Sequence, residues 1–179
     1  MRELLLIKDN LANKISYYHL MLFLLSLPFD LFYSHLILAS FAIHTIIQFK
    51  KSAIKPVFNL RTAMLTSVFF VTLASTIYTT SPAHAFIEWG LDTPILLLPL
   101  LLCFNQLDLK KYRPQLLMAF ALGCTTTILY LYADAFVTIR HYGLPLSSIL
   151  SPAFTNHNFS EPIYIHATFF SLQIAMALI

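Results

Sequence analysis

The sequence predicts an all-α fold: a polytopic transmembrane helix bundle of about six spans, with a cytoplasmic amino terminus. Three observations predict it. Hydrophobic residues make up 58% of the 179-residue chain and charged residues only 11%, whereas a soluble domain carries about 25% charged residues. The apolar residues gather into runs near the roughly 20 residues that cross a bilayer as a helix. The basic residues lie between those runs, almost all on one side.

The first span, 15–29, ends at Ser26-Leu27-Pro28. It lacks the small-x-small site of a cleaved secretory signal, and further spans follow it. Asp30 marks a very tight turn into the second span, 31–49. The third is 62–78. The fourth, 86–104, has Glu88 and Asp92 near its start and Pro94 and Pro99 inside it, so a kinked or broken helix is expected. The fifth is 115–139. The sixth starts near Pro162 and is cut at Ile179, so the chain reads as the front part of a longer protein, with a single transmembrane domain over 1–179.

Charge fixes the expected orientation. Arg2, Lys8 and Lys14 precede the first span, Lys50, Lys51, Lys55 and Arg61 lie between the second and third, and Lys110, Lys111 and Arg113 lie between the fourth and fifth. Of the 11 basic residues only Arg140 falls on the opposite side. Positively charged loops stay in the cytoplasm, which puts the amino terminus inside. The net charge of +3 is thereby a topology signal, and no nucleic-acid partner is implied.

The outer side collects most of the ionisable groups that topology does not explain: Asp30, Glu88, Asp92, Glu161, His35, His84, His141, His157 and His166, with Asp134 in the outer half of the fifth span and only His19 and His44 of the histidines near the inner face. Their densest gathering is the stretch 156–171. Ionisable groups near a bilayer are costly and mark candidate sites. Arg140, His157, Glu161, Tyr164 and His166 are the candidates. A Glu near a His can serve as an acid–base pair, while His157 and Glu161 can equally be solvated loop residues and His166 a helix cap. Glu88 and Asp92 share a helix face beside Trp89, to bind a cation or head group, or to form an interfacial helix start. Asp134 can help receive a substrate or pair locally near Arg140.

Several chemistries are excluded by composition. Three glycines cannot build a phosphate-cradling loop. Cys103 and Cys124 fall within spans and form no Cys-x-x-Cys, so they read as buried small hydrophobes. No His-x-His or His-Glu-x-x-His occurs, and neither a metal nor another cofactor is expected.

The run Pro-Ile-Tyr-Ile-His-Ala-Thr-Phe-Phe-Ser-Leu at 162–172 resembles the Ile-His-Pro-Thr-Tyr-Phe-Ser-Leu-Tyr segment of O-antigen ligase and polymerase-like membrane proteins, particularly those of Bacteroidetes. Ser26-Leu27-Pro28, Ile77-Tyr78-Thr79 and Leu96-Leu97-Leu98-Pro99-Leu100 agree in order. Two departures stand out: Glu88 is followed by Trp-Gly-Leu-Asp where the family often has a basic pair, and the family's His-Pro is His166-Ala167 here.

The resemblance implies a multi-pass inner-membrane glycosyltransferase of lipopolysaccharide biosynthesis. It would transfer glycan from an undecaprenyl-diphosphate carrier to lipid A–core or a growing chain at the periplasmic face. The family's catalytic Arg and His residues lie mainly in a later periplasmic loop that this chain lacks, which leaves His166 as the one catalytic candidate carried over. The alternatives are a transporter or flippase, motivated by Asp134 and the proline-interrupted fourth span, and a truncated, non-catalytic membrane scaffold.

Overall fold

The computed structural model describes residues 6–49 and 59–178. Arg2, Lys50, Lys51 and Lys55 of the orientation argument lie outside the described residues. The described residues form six α-helices with no strand: α1 (Leu11–Ser26), α2 (Leu31–Ile47), α3 (Leu60–Ser75), α4 (Pro82–Phe104), α5 (Leu109–His141) and α6 (Ala167–Ala177). Short 3-10 helices cover Thr76–Tyr78, Leu146–Leu150 and Asn156–Ile163. The fold is all-α.

Side-chain caps set most helix starts. Asn10 opens α1 by accepting from the Asn13 N–H at 2.8 Å, which satisfies one of the donors a helix start leaves unpaired. The turn at Asp30 is as tight as expected. The N–H groups of Phe29 and Asp30 both donate to the Ser26 carbonyl at 2.9 Å, and the Asp30 carboxylate then caps α2, accepting from Phe32 N at 2.7 Å. Asn59 caps α3 through Thr62 N, and Asp108 caps α5 through Lys110 N and Lys111 N. Pro82 sits at the first position of α4, where its missing N–H costs nothing.

Two spans differ from their expected limits. The fifth, expected at 115–139, is the 33-residue helix Leu109–His141, about 50 Å long at 1.5 Å per residue. It takes in Lys110, Lys111 and Arg113, because the Asp108 cap rather than hydropathy decides where it begins. The sixth, expected from Pro162, begins as α6 only at Ala167; residues up to Ile163 form the 3-10 helix instead. Tyr164 takes a left-handed backbone, φ 54°, which ends that helix. α4 runs unbroken through Pro94 and Pro99, although the prolines free the carbonyls four residues earlier, at Gly90 and Ile95.

Three helical stretches are long and apolar enough to cross a bilayer: Leu60–Tyr78, Pro82–Phe104 and Leu109–His141. They point to a membrane protein. α1, α2 and α6, at 16, 17 and 11 residues, lie at or below the shortest spanning helices, about 17 residues. The long helices leave much of their apolar surface unburied: Met64, Leu65, Val68 and Val71 on α3 are each more than half exposed, as are Phe86, Ile87 and Leu91 on α4. Apolar patches this continuous need a nonaqueous neighbour.

The chain divides into two compact units. One comprises Met1–Lys8, Tyr17–Ile37 and Asp108–Ile179, the other Asp9–Ser16 and Leu38–Leu107. In the first, α5 buries one stripe, with Leu116, Ala119, Phe120, Gly123, Thr127, Leu131 and Ala135 along it, the three-and-four spacing of a helix face. Fully buried Tyr17 packs its ring 5.3 Å from Tyr112. In the second unit α3 packs along α4, and Thr62 Oγ1 lies 3.1 Å from the Cys103 sulfur.

Candidate functional site

The polar stretch singled out by sequence is built onto the far end of α5 from its basic start. α5 stops in a tight reversal: Gly143, at φ 63°, donates to Arg140 O at 3.3 Å, and Leu144 N donates to Ile139 O at 3.0 Å. That paired pattern satisfies the last carbonyls and needs a left-handed residue, which glycine adopts without strain. The chain then passes through the two 3-10 helices and returns to α6. Leu131 of α5, Ile163, Ile165 and Phe170 form a buried cluster, with Ile128, Phe159 and Ile174 packed against it. The left-handed Tyr164 lets both neighbouring isoleucines turn inward while its own side chain remains 93% exposed.

Behind this cluster lies a cavity of about 620 Å³, within the size range of small-molecule sites. Its walls are largely apolar: Tyr132, Ile149, Leu150, Phe154, Phe159, Phe170 and Ile174. Four hydroxyl residues interrupt them, Thr155, Ser160, Thr168 and Ser171. The Tyr132 and Phe159 rings meet at 5.0 Å at its wall.

The expected site residues take different places. Arg140 is exposed in the last turn of α5. Glu161 is exposed on the 3-10 helix and Tyr164 caps its end. His166 is exposed and caps α6, its Nδ1 accepting from Thr168 N at 3.3 Å. An accepting Nδ1 carries no proton, so in this geometry the ring proton is on Nε2. The His157 side chain lies outside the described residues. None of Arg140, Glu161, Tyr164 and His166 lines the cavity; their immediate neighbours Ser160 and Ala167 do. Among the described residues no three His, Cys, Asp or Glu side chains come together as a metal site would require.

In the second unit, Glu88, Trp89 and His84 line a smaller cavity of about 260 Å³ with Thr72 and Thr76. Thr93 Oγ1 donates to Trp89 O at 2.7 Å. Asp92 is half-buried and lies outside that lining. Asp134, in the first unit, is half-buried on α5.

A polar network that sequence reasoning missed lies in the second unit. Asn105 donates to Ser16 Oγ at 2.9 Å and Thr45 Oγ1 at 3.1 Å, while its own oxygen accepts from Leu107 N at 2.9 Å. His44 Nε2 lies 3.1 Å from both Ala12 O and Ser16 Oγ. A carbonyl can only accept, so Nε2 carries the proton. Ser16 and Thr45 are buried, at 3% and 1% exposure, and each finds a partner here, as buried polar groups must. The Asn105→Leu variant is expected to lose about 2 kcal/mol by stranding the Leu107 N–H and a buried hydroxyl. Thermal unfolding in detergent measures it; an unchanged Tm would assign the network no stabilising role. The sequence carried no signal for it beyond a lone Asn ending an apolar run.

No family model, curated protein or solved structure matches the chain.

Proposed function

We propose that the chain is the membrane-embedded N-terminal portion of an O-antigen ligase-like glycosyltransferase. In this reading it crosses the bacterial inner membrane about six times with its amino terminus in the cytoplasm. The intact protein transfers glycan from an undecaprenyl-diphosphate carrier to lipid A–core or to a growing polysaccharide at the periplasmic face. The observation that carries the reading is where the cavity and its polar stretch lie: at the Arg140 end of α5, opposite the Lys110, Lys111 and Arg113 start. Under the positive-inside rule that end faces outward, where a lipid-linked donor is presented.

The residues divide the work accordingly. Arg140 and His166 are exposed; in this reading they meet the donor, where a guanidinium can hold a phosphate and an imidazole can exchange a proton. The largely apolar walls of the neighbouring cavity suit hydrocarbon. The transporter alternative keeps its intramembrane acid, Asp134, half-buried on α5, whereas α4 is a single helix through both prolines. Deleting the gene is expected to abolish surface polysaccharide and to raise the pool of its lipid-linked precursor. An unchanged surface and an unchanged pool would sink the reading.

A further inference from the structure

The chain that follows α5 has the position of an aqueous loop but not its composition. No Lys, Arg, Asp or Glu occurs from Tyr142 to Ser160, where about a quarter of a soluble stretch would be charged. Its large apolar side chains are uncovered: Tyr142, Leu146 and Leu150 are 71%, 66% and 82% exposed. A single exposed leucine is ordinary. An uncharged run that uncovers three large apolar side chains needs a nonaqueous neighbour.

Its place in the fold says which neighbour. Arg113 and Arg140 lie 27 residues apart on α5, about 40 Å of helix, with Asp134 the only charged residue between them. A bilayer with its head groups measures roughly 40–45 Å, so a spanning α5 puts Arg140 at head-group level. The chain then turns back instead of continuing outward. Leu144 N donates to Ile139 O at 3.0 Å, the 3-10 helix Leu146–Leu150 packs against α5, and Ile149 and Leu150 line one cavity with Tyr132. Tyr132 precedes Arg140 by eight residues of helix, about 12 Å. The segment therefore lies beside α5, at the depth where head groups give way to hydrocarbon.

Its backbone suits that depth. Ser148 N donates to Pro145 O and Ser151 N to Ser148 O, both at 2.9 Å, and Phe154 N donates to Ser151 O at 3.0 Å. These turns leave fewer bare peptide groups to a medium poor in water. The same end of α5 exposes Leu129, Phe136 and Val137, so lipid that covers the helix meets the segment too.

We propose that residues 142–155 form an interfacial element lying in one leaflet, with Leu146 and Leu150 among the acyl chains and Tyr142 at head-group level. The inference rests on α5 crossing the membrane, which the functional reading shares. It rests neither on glycan transfer nor on which face is periplasmic, so the gene-deletion result stands or falls separately.

The test uses the depth of a reporter tryptophan. The chain has one tryptophan, so Trp89→Phe supplies a silent background for Leu146→Trp and Leu150→Trp, introduced singly. The full chain is reconstituted in phosphatidylethanolamine–phosphatidylglycerol nanodiscs. Each reporter should lose most of its emission when lipids brominated along their acyl chains are included, and little on adding aqueous iodide. Quenching by iodide and not by bromine puts the segment in water and overturns the proposal. Quenching by neither means that protein covers it, from a second copy or from further chain, and overturns it as well. Tryptophan itself favours interfaces, so a second measurement does without it. Leu146→Asp combined with Leu150→Asp should speed amide exchange at Ser148 and Ser151 in nanodiscs by drawing the segment out of the lipid. Unchanged exchange there also overturns the proposal.

Discussion

His166→Ala is expected, on the proposed function, to lower glycan transfer about a hundredfold, the lower end of what a positioned acid or base contributes, while leaving abundance in the membrane unchanged. The alanine variant alone cannot separate chemistry from structure, because His166 also caps α6 through Thr168 N and losing a cap costs about 1 kcal/mol. His166→Asn separates them. Asparagine is among the best capping residues and restores the acceptor, yet it has no titratable ring. If the imidazole acts in transfer, Asn should be as impaired as Ala although amide exchange in the first turn of α6 is restored to the wild-type rate. If His166 only caps, Asn should transfer glycan as the wild type does. The readout is glycan incorporation in cells lacking the wild-type gene, with membrane abundance measured in parallel.

Apolar runs are a strong signal, and each of the six expected spans coincides with a helix over most of its length. Their limits were less legible, for physical reasons that differ between sites. Hydropathy ended the fifth span at the cluster Lys110, Lys111 and Arg113, but the Asp108 carboxylate starts that helix by accepting from the Lys110 and Lys111 N–H groups, two turns beyond the apolar run. The cap was readable in the sequence. The start of α6 was half legible: the cap at His166 was one of its two readings from sequence, whereas the left-handed Tyr164 that precedes it was not. The Asn105 network joins residues 89 and 60 positions apart, and nothing short of the fold brings them together.

The candidate site divides the same way. The stretch 156–171 was legible because polar residues are conspicuous among apolar ones. Within it, ionisable groups drew the eye to Glu161, Tyr164 and His166, which the fold leaves exposed. The group it buries against the cavity is the neutral Ser160. Charge is visible in a sequence, whereas which hydroxyl is buried depends on how the chain folds back onto α5.

Gly123→Leu is expected to prevent α5 from docking and to yield little folded protein. A Cβ at this position would lie 2.9 Å from the Leu25 carbonyl oxygen and 3.2 Å from its Cα, with Pro28 Cγ at 3.3 Å. The first two are backbone atoms, which cannot swing aside as a side-chain tip can, so the helices themselves must separate. Small residues permit this kind of close approach between membrane helices. Ser26 and Ser34, whose hydroxyls lie 3.0 Å apart, belong to the same unit and are similarly compact. Gly123→Ala gains about 1 kcal/mol in helix propensity but incurs an overpacking cost of about 1–3 kcal/mol, so a net loss is expected. Leucine adds three more carbons to the same clash and should cost well beyond that range. Gly90 provides the contrast within one chain. Nothing lies within 4 Å of a Cβ built there, so Gly90→Ala should keep the propensity gain and raise stability by up to about 1 kcal/mol. Thermal unfolding and size-exclusion profiles in detergent distinguish the cases, with Leu122→Ala, on an exposed position of α5, as the control. A Gly123→Leu chain as monodisperse and as stable as Leu122→Ala would refute the close approach of α5 to the Leu25 backbone.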